Sequence, residues 1–436
     1  MQTAQVVLNG TPVVGSDVLS LRPSVNLTTG EAHFRQTFAT LTSLEIDVLT
    51  LAASIFACDL AFKRDEREEF IRRISLTIPM VNLPAFNSVR EKLRFALYRV
   101  SHDAWNITFV QRSGKPEAPR DWYRDELGKV LLFSGGLDSF AAAMQYGDAK
   151  ERVQLVSHIT ANKVVSGAQE VLYEYLKQQF PAQFSRVAIR IGGVDRASRG
   201  YPFPPDQTRE ETQRTRSILF LALAALTARR RGFRDVILIA ENGQMSIHLP
   251  LTAARISAFS THTAHPEFVS CMGEILSTLL GYSIRIENPF LYLTKAEAVE
   301  SVVRNHLGVV KETVSCWKAS RVSGRYKHCG FCLPCLVRRI AVEAHGVTLP
   351  EYKRNLFLEN VAALPPDDDG KRNLIDLGEF VKLFEPQSSQ AFLQDTYPEL
   401  INPHIDAVRA IAMYRRFAVE ARGVFNRYPQ VRTLVR

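Results

Sequence analysis

Val130-Leu131-Leu132-Phe133, then Ser134-Gly135-Gly136-Leu137-Asp138-Ser139, then Phe140-Ala141-Ala142-Ala143-Met144: this stretch decides the fold. An apolar run reads as a strand, two glycines let the backbone turn tightly, and a helix begins with its free amides and the positive end of its dipole at the turn. Such a turn cradles an anion. Ser134 and Ser139 add hydroxyl donors, while Asp138 is placed either to cap the helix or to hold Mg2+ against phosphate oxygens. The loop lacks the Lys-Ser/Thr ending of a Walker A motif, which argues against a kinase-type or motor-type NTPase.

Further apolar runs follow at Val153 to Ile159, Val187 to Ile191 and Val236 to Ala240, separated by helix-like segments around Ala141, Ala168 to Phe180, Arg209 to Arg231 and Glu267 to Leu280. Strands buried on both faces and alternating with helices predict an α/β fold with a doubly wound, Rossmann-like parallel sheet. Ligands of such a sheet sit beyond the carboxyl ends of its strands. The loop Tyr201-Pro202-Phe203-Pro204-Pro205 is expected to hang over that edge. Glu241-Asn242-Gly243 lies there too, either reading a purine-like face through its carboxylate and amide or simply ending a strand. Arg214-Thr215-Arg216-Ser217 opens an apolar helix, where two basic residues serve either phosphate or an acidic surface.

The flanking regions read differently. Thr42-Ser43-Leu44-Glu45 is a capping box in front of the apolar stretch Ile46 to Leu60. Ile74, Leu76, Ile78 and Met80 alternate with polar residues as a half-buried strand closed by Pro79, and Trp105 to Val110 is a second strand. The polar run Gln111 to Arg120 has linker composition. The organisation expected is an N-terminal α+β accessory domain over 1–120, an α/β domain over 125–345, and a helical region over 346–436. That last region is broken at Leu364 to Gly370 and ends in helix around Leu400 to Val424.

With 46% apolar and 23% charged residues among 436, the chain is neither fibrous nor broadly disordered. Its longest apolar run, Ile218 to Leu226, falls well short of the roughly 20 residues of a membrane-spanning helix. The first thirty residues lack a secretory signal pattern, so a cytoplasmic location is expected. Lys and Arg number 54 against 45 Asp and Glu, an excess of +9 that favours polyanionic partners, nucleic acid included, although it is spread along the chain. Four of the six cysteines, Cys316, Cys329, Cys332 and Cys335, have the spacing C-x12-C-x2-C-x2-C, which suits one tetrahedral zinc ion and also an iron–sulfur cluster. Gly330 lets that loop turn its amides toward sulfur. Cys58 and Cys271 stand alone and read as core, and His262 and His265 as loop hydrogen-bonding residues.

The string Ser134 to Ser139 resembles the signature of the PP-loop ATP pyrophosphatases, which cleave ATP between the α and β phosphates. Together with the cysteine cluster about 180 residues on, it is similar to the QueC family, the 7-cyano-7-deazaguanine synthases, over roughly residues 129–345. The resemblance implies a PP-loop, adenine nucleotide alpha hydrolase-like fold in which Ser134, Gly135, Gly136, Leu137, Asp138 and Ser139 contact ATP; Arg214, from its place at a helix start, is a further expected nucleotide contact. It implies zinc on the four cysteines, with Arg338 or Arg339 matching an arginine that follows them. Asn288-Pro289-Phe290 and Thr294-Lys295-Ala296-Glu297 resemble a family stretch whose lysine meets phosphate; a solvated lysine in a helix's first turn is the other reading of Lys295. Asp138, Lys295 and Arg216 are then the expected catalytic residues, and Glu241 and Asn242 the expected substrate contacts. The family's Tyr-Pro-Asp-Cys-Arg stretch is absent, which puts substrate recognition in doubt. The added terminal regions resemble the enlarged QueC-like proteins of QatC type in bacterial antiphage defence operons.

What this resemblance implies is an ATP- and Mg2+-dependent carbon–nitrogen ligase. It would adenylate a 7-carboxy-7-deazaguanine-type acid, release pyrophosphate and pass the acyl group to ammonia, giving an amide or nitrile, or to an amine on a protein from the same operon. Two other functions fit the sequence: a PP-loop tRNA-modifying sulfurtransferase, and a zinc-stiffened ATP-binding scaffold without turnover.

Overall fold

A computed structural model describes residues 2–7, 17–65, 71–117, 128–160, 162–233, 235–252, 263–322, 325–349 and 352–435. Strands β1 (Gln2–Val6), β2 (Val18–Leu21), β3 (Leu27–Thr28), β4 (Arg73–Met80) and β5 (Ala104–Gln111) precede the glycine loop. After it come β6 (Lys129–Leu132), β7 (Val153–His158), β8 (Phe184–Ile189), β9 (Gly192–Gly193), β10 (Asp235–Leu238) and β11 (Ile284–Glu287). The central sheet has the order β11-β10-β6-β7-β8 and all its pairs are parallel. The chain moves outward from β6 through β7 to β8, then returns to the other side of β6 for β10 and β11. The order therefore reverses at β6, and the crevice such a reversal opens lies at its carboxyl end. The doubly wound α/β expectation holds, with β7 buried at every position as a central parallel strand must be.

The N-terminal strands form a second sheet, β2-β1-β4-β5. All of its pairs are parallel, so this region is α/β in character where α+β was expected. Helical crossovers at Ser43–Ala61 and Leu83–Ser101 account for this, since parallel neighbours cannot be joined by hairpins. Pro79 does not close β4, which continues to Met80 in register with Gln111. The carbonyl of Met80 accepts from Arg112 N (2.8 Å) on the β5 side. Pro79, one residue earlier, therefore turns its nitrogen to the opposite side, beyond the last pair with β1 at Thr77. No ladder bond is lost there.

The capping box forms as read: Thr42 N donates to Glu45 Oε2 (2.7 Å) and Glu45 N to Thr42 Oγ1 (3.4 Å). The helix behind it lies against the helix Arg216–Arg231, and acids at both ends pin the pair antiparallel. Asp59 Oδ2 accepts from Thr215 N (2.8 Å) and Thr215 Oγ1 (3.0 Å), while Glu45 Oε1 accepts from Arg230 Nε (2.5 Å). This explains why the helix begins at Arg216 and not at Arg209: residues 210–215 are drawn to the accessory region, with Glu210 N also bonded to Leu60 O (2.9 Å). One core runs through both sheets, from Ala4, Leu76 and Leu97 to Val130, Val156 and Leu221. The 201–205 loop joins that core too. Phe203 is buried and Tyr201 Oη accepts from Arg22, so the loop packs on the accessory region and does not overhang the ligand edge. The linker expected over Gln111 to Arg120 falls partly outside the described residues.

The C-terminal region is helical, with Asp369–Leu383, Gln390–Thr396, Ala407–Phe425 and Pro429–Leu434 around a core of their own that takes in Leu336, Val337 and Ile340 of the helix Leu333–Ala344. Helix 407–425 starts later than expected because Asp406 caps it, accepting from Arg409 N (3.1 Å). No described helix is long and apolar enough to cross a membrane.

Candidate active site

β6 delivers the loop to the crevice. Phe133 N still pairs with Val156 O (2.8 Å), and Phe133 O accepts from Ser157 Oγ (2.9 Å). Gly135 then takes φ = 82°, with Val314 N bonded to its carbonyl (2.9 Å). A Cβ at this position would lie 3.1 Å from Gln169 Cγ, so glycine is required both for the left-handed backbone and for the close approach. Gln169 in turn donates to Ser134 O (3.2 Å). The helix Leu137–Asp148 starts at Gly136 with no side-chain cap, leaving its first-turn amides open to an anion. Ser134 Oγ and Ser139 Oγ, 3.3 Å apart, close the ring.

Asp138 does not cap the helix. Its carboxylate crosses the crevice to Lys295 Nζ (2.5 Å) and to Asn242 Nδ2 (2.6 Å). Lys295 is buried, not solvated, and opens the helix Lys295–Asn305 behind a second complete capping box, Thr294 with Glu297. Glu241 stands beside Asp138. Burial and then the Asp138 charge push its carboxyl well above the usual range, so Glu241 holds the proton. For Asp138 burial also opposes ionisation. It is outweighed by the Lys295 ammonium and by hydrogen bonds from Glu241, Lys295 and Asn242, and Asp138 stays ionised. Two carboxyls thus share one proton beside one ammonium, and this donor set suits a hard divalent cation.

Asn242 was expected to touch substrate. Its amide instead donates to Asp138 and to Glu241 Oε1 (3.2 Å), while its Oδ1 accepts from Met245 N (3.2 Å), so no edge of the side chain remains for a purine. It orients the two acids. Arg214 also departs from expectation: its guanidinium bonds Ser101 O (3.1 Å) in the accessory region, away from the loop. Burial and then the neighbouring Arg64 lower its pKa to about 10 against the charges of Asp103 and Asp59, within a buried network that also contains Arg72.

Arg216, the first residue of its helix, lies near His158 at the carboxyl end of β7 and is not among the residues lining the cavity around Asp138. Its guanidinium sits over Phe220 (5.1 Å), its Nε is buried with no hydrogen-bond partner, and no acid pairs with it among the described residues. Burial alone lowers its pKa to about 10. Its neighbour His158 is kept neutral, with a pKa lowered to about 3 by burial and then by Arg216.

The four cysteine sulfurs lie within 4.8 Å of one another and are buried, with Sγ separations of 3.9 Å (316–332), 3.8 Å (329–335) and 3.4 Å (332–335). A tetrahedron of Zn–S bonds about 2.3 Å long has edges of about 3.8 Å. The group therefore fits a single zinc ion. Amides point at sulfur as expected: Cys329 N to Cys316 Sγ (3.4 Å) and Cys332 N to Cys329 Sγ (3.3 Å). Gly330, at φ = 86°, makes the turn, and a Cβ there would collide with Arg354 O. Arg338 and Arg339 are structural, bonding Thr313 and Glu343 respectively. His265 caps the helix Pro266–Leu280 through Nδ1, while His262 lies outside the described residues.

Loop and cysteine segment face each other across a cavity of about 140 Å3. Its lining includes Ser134, Asp138, Glu241 and Lys295 together with Val314, Trp317, Pro334 and Val337. Sequence reasoning assigned no role to Gln169, Gln244 or Trp317. Gln244 fixes Lys295 through its backbone N–H (3.0 Å). The only local signal for Trp317 was its position next to Cys316.

Comparison with known proteins bears on these same residues. The sequence model of the queuosine biosynthesis protein QueC matches residues 128–346, which include both the loop and the cysteine cluster. The 7-cyano-7-deazaguanine synthase of Ralstonia pickettii is 27% identical over 240 residues, 51% of this chain and 96% of its own length. Those of Nitrosococcus oceani (28% over 230 residues, 51% and 96%) and Sinorhizobium fredii (29% over 237 residues, 51% and 91%) align over similar spans.

Proposed function

The chain belongs to the QueC family, and from that premise we propose that it is an ATP-dependent ligase which adenylates a 7-carboxy-7-deazaguanine-type acid and passes the acyl group to a nitrogen nucleophile. The observation that carries this reading is the uncapped Ser134–Ser139 turn facing the Asp138, Glu241 and Lys295 cluster. A carboxylate oxygen attacks the α phosphorus and the bond to the β-phosphate oxygen breaks, so that pyrophosphate leaves into the loop amides. The nitrogen nucleophile then adds to the acyl carbon, and AMP leaves together with one proton. Catalysis of the first step is positioning and charge neutralisation. The loop amides hold the leaving group, Lys295 stands over the same crevice, and Arg216 brings a positive charge that pairs with no acid among the described residues. Asp138 and Glu241 would hold Mg2+, which when bound supplies further neutralisation of phosphate charge, and the cysteines would hold zinc as a structural tie.

A protein amine as acceptor, in an antiphage system of QatC type, is the finer form of this reading. It is supported by the half of the chain that lies outside the family match. The sulfurtransferase alternative is disfavoured by the thiols outside the cluster: burial pushes Cys58 far up and Cys271 to about 11, so neither offers a thiolate. The test is AMP and pyrophosphate release by the purified protein with ATP and 7-carboxy-7-deazaguanine, with mass spectrometry of products. Stoichiometric AMP supports the ligase. No turnover with any nitrogen donor, despite nucleotide binding, would leave the scaffold alternative in its place.

A further inference from the structure

The cavity bordered by loop and cysteine segment has a lining of two kinds. Ser134, Asp138, Glu241 and Lys295 supply its polar and charged part. Val314, Trp317, Pro334 and Val337 supply apolar wall, of which Val337 is 3% exposed while Trp317 is 46% exposed. An indole left half in water beside a charged crevice is a large apolar face without a protein partner. No described residue hydrogen-bonds its N–H. Its backbone, by contrast, is held on both sides. Cys316 precedes it in the buried sulfur group, and Lys318 follows it, packed over Phe331 (4.8 Å) and paired with Asp369 (3.0 Å).

We propose that Trp317 is the stacking platform for the planar heterocycle of the acid, whose carboxylate then points at the polar wall. The inference rests on the adenylation reading above. Connectivity selects the acid's ring over adenine: a deazaguanine carboxylate is attached directly to its ring, so the ring lies next to the reacting carbon. Adenine is separated from the α phosphorus by a ribose. A cavity of about 140 Å3 is well below the roughly 300 Å3 of a drug-sized pocket. It takes one ring system beside the reacting groups, and the nucleoside extends out through the mouth. Stacking on an aromatic is tolerant of ring substituents but not of losing the aromatic.

The test compares the full-length wild type with Trp317→Ala and Trp317→Phe in acid-dependent ATP–pyrophosphate exchange. Trp317→Ala is expected to raise the KM for 7-carboxy-7-deazaguanine about tenfold or more, with kcat and the KM for ATP within about twofold, and Trp317→Phe to recover most of the loss. In parallel, the acid without ATP should quench the tryptophan fluorescence of the wild type, and this quench should vanish in Trp317→Phe. An unchanged KM for the acid in Trp317→Ala, or a raised KM for ATP in its place, would overturn the platform. Absence of exchange in the wild type would fell the adenylation reading instead. In that case the quench still decides the platform, and no difference between wild type and Trp317→Phe would remove it as well.

Discussion

Two buried charge clusters stand at opposite ends of the same stretch of chain, and they are built on opposite principles. In the accessory region, Arg64 and Arg72 pair with Asp59, Asp103 and Glu210, with nearly every acid oxygen accepting from a guanidinium, hydroxyl or amide, while Arg214 beside them bonds, among the described residues, only the carbonyl of Ser101. At the carboxyl ends of the central strands, Asp138 and Glu241 share a single proton beside Lys295, and Arg216, near the end of β7, pairs with no acid among the described residues. Buried charge that is matched holds a fold together, whereas buried charge left unmatched is kept for something that arrives from outside.

Substitutions should therefore have effects of opposite character in the two places. Arg72→Met leaves Asp59 and Asp103 short of a partner, and is expected to cost about 3–5 kcal/mol of stability. Urea unfolding measures it, and an unshifted midpoint would show that the cluster is not a structural tie. Asp138→Asn is expected to lower pyrophosphate release about 10²- to 10³-fold while the circular dichroism melt stays near wild type, because Glu241 can give up its proton to balance Lys295. Retained activity would remove Asp138 from its assigned role. Arg216→Gln sharpens the contrast: it should slow pyrophosphate release about tenfold, yet stabilise the apo protein by about 1 kcal/mol, since a desolvated lone cation is removed. A melting temperature that falls would mean Arg216 is matched after all.

The smallest effect concerns pH. Glu420, on helix 407–425, accepts from Thr294 Oγ1 (2.6 Å), and burial raises its pKa to about 7 against that bond. The folded state holds the proton more tightly than the unfolded chain, so this contribution is complete below the ordinary glutamate pKa and is lost as pH rises to about 7. Glu420→Gln should match wild type at acid pH and exceed it at pH 8, read from chemical unfolding at both pH values. Parallel curves would mean that the carboxyl titrates elsewhere.

The same division governs what was readable beforehand. The glycine loop and the cysteine spacing could be read because each is local: a strand, a turn and a helix start within fifteen residues, or four thiols on one short loop. Lys295 was placed by the resemblance of Thr294-Lys295-Ala296-Glu297 to a family stretch, and the capping box that fixes it there was not read. Arg214 and Arg216, two residues apart, could not be separated, because what parts them is Asp59 and Asp103, far back in the chain. Asn242 was misread for a related reason. Its side chain is fully engaged by Asp138 and Glu241, and that geometry needs two strands brought side by side. The parallel course of the N-terminal strands was hidden because period-two alternation reports which face is buried and is silent on strand direction.

Helix 216–231 carries apolar side chains on almost every side, and both of its faces are roofed. A chain trimmed to the family-matching half would uncover Leu219, Leu223 and their neighbours, along with the aspartate-fastened start that sets Arg216. Such a fragment is expected to clump rather than act as a smaller enzyme. The N-terminal segment thus shares one core with the family-matching domain, and no simple excision would leave the latter intact.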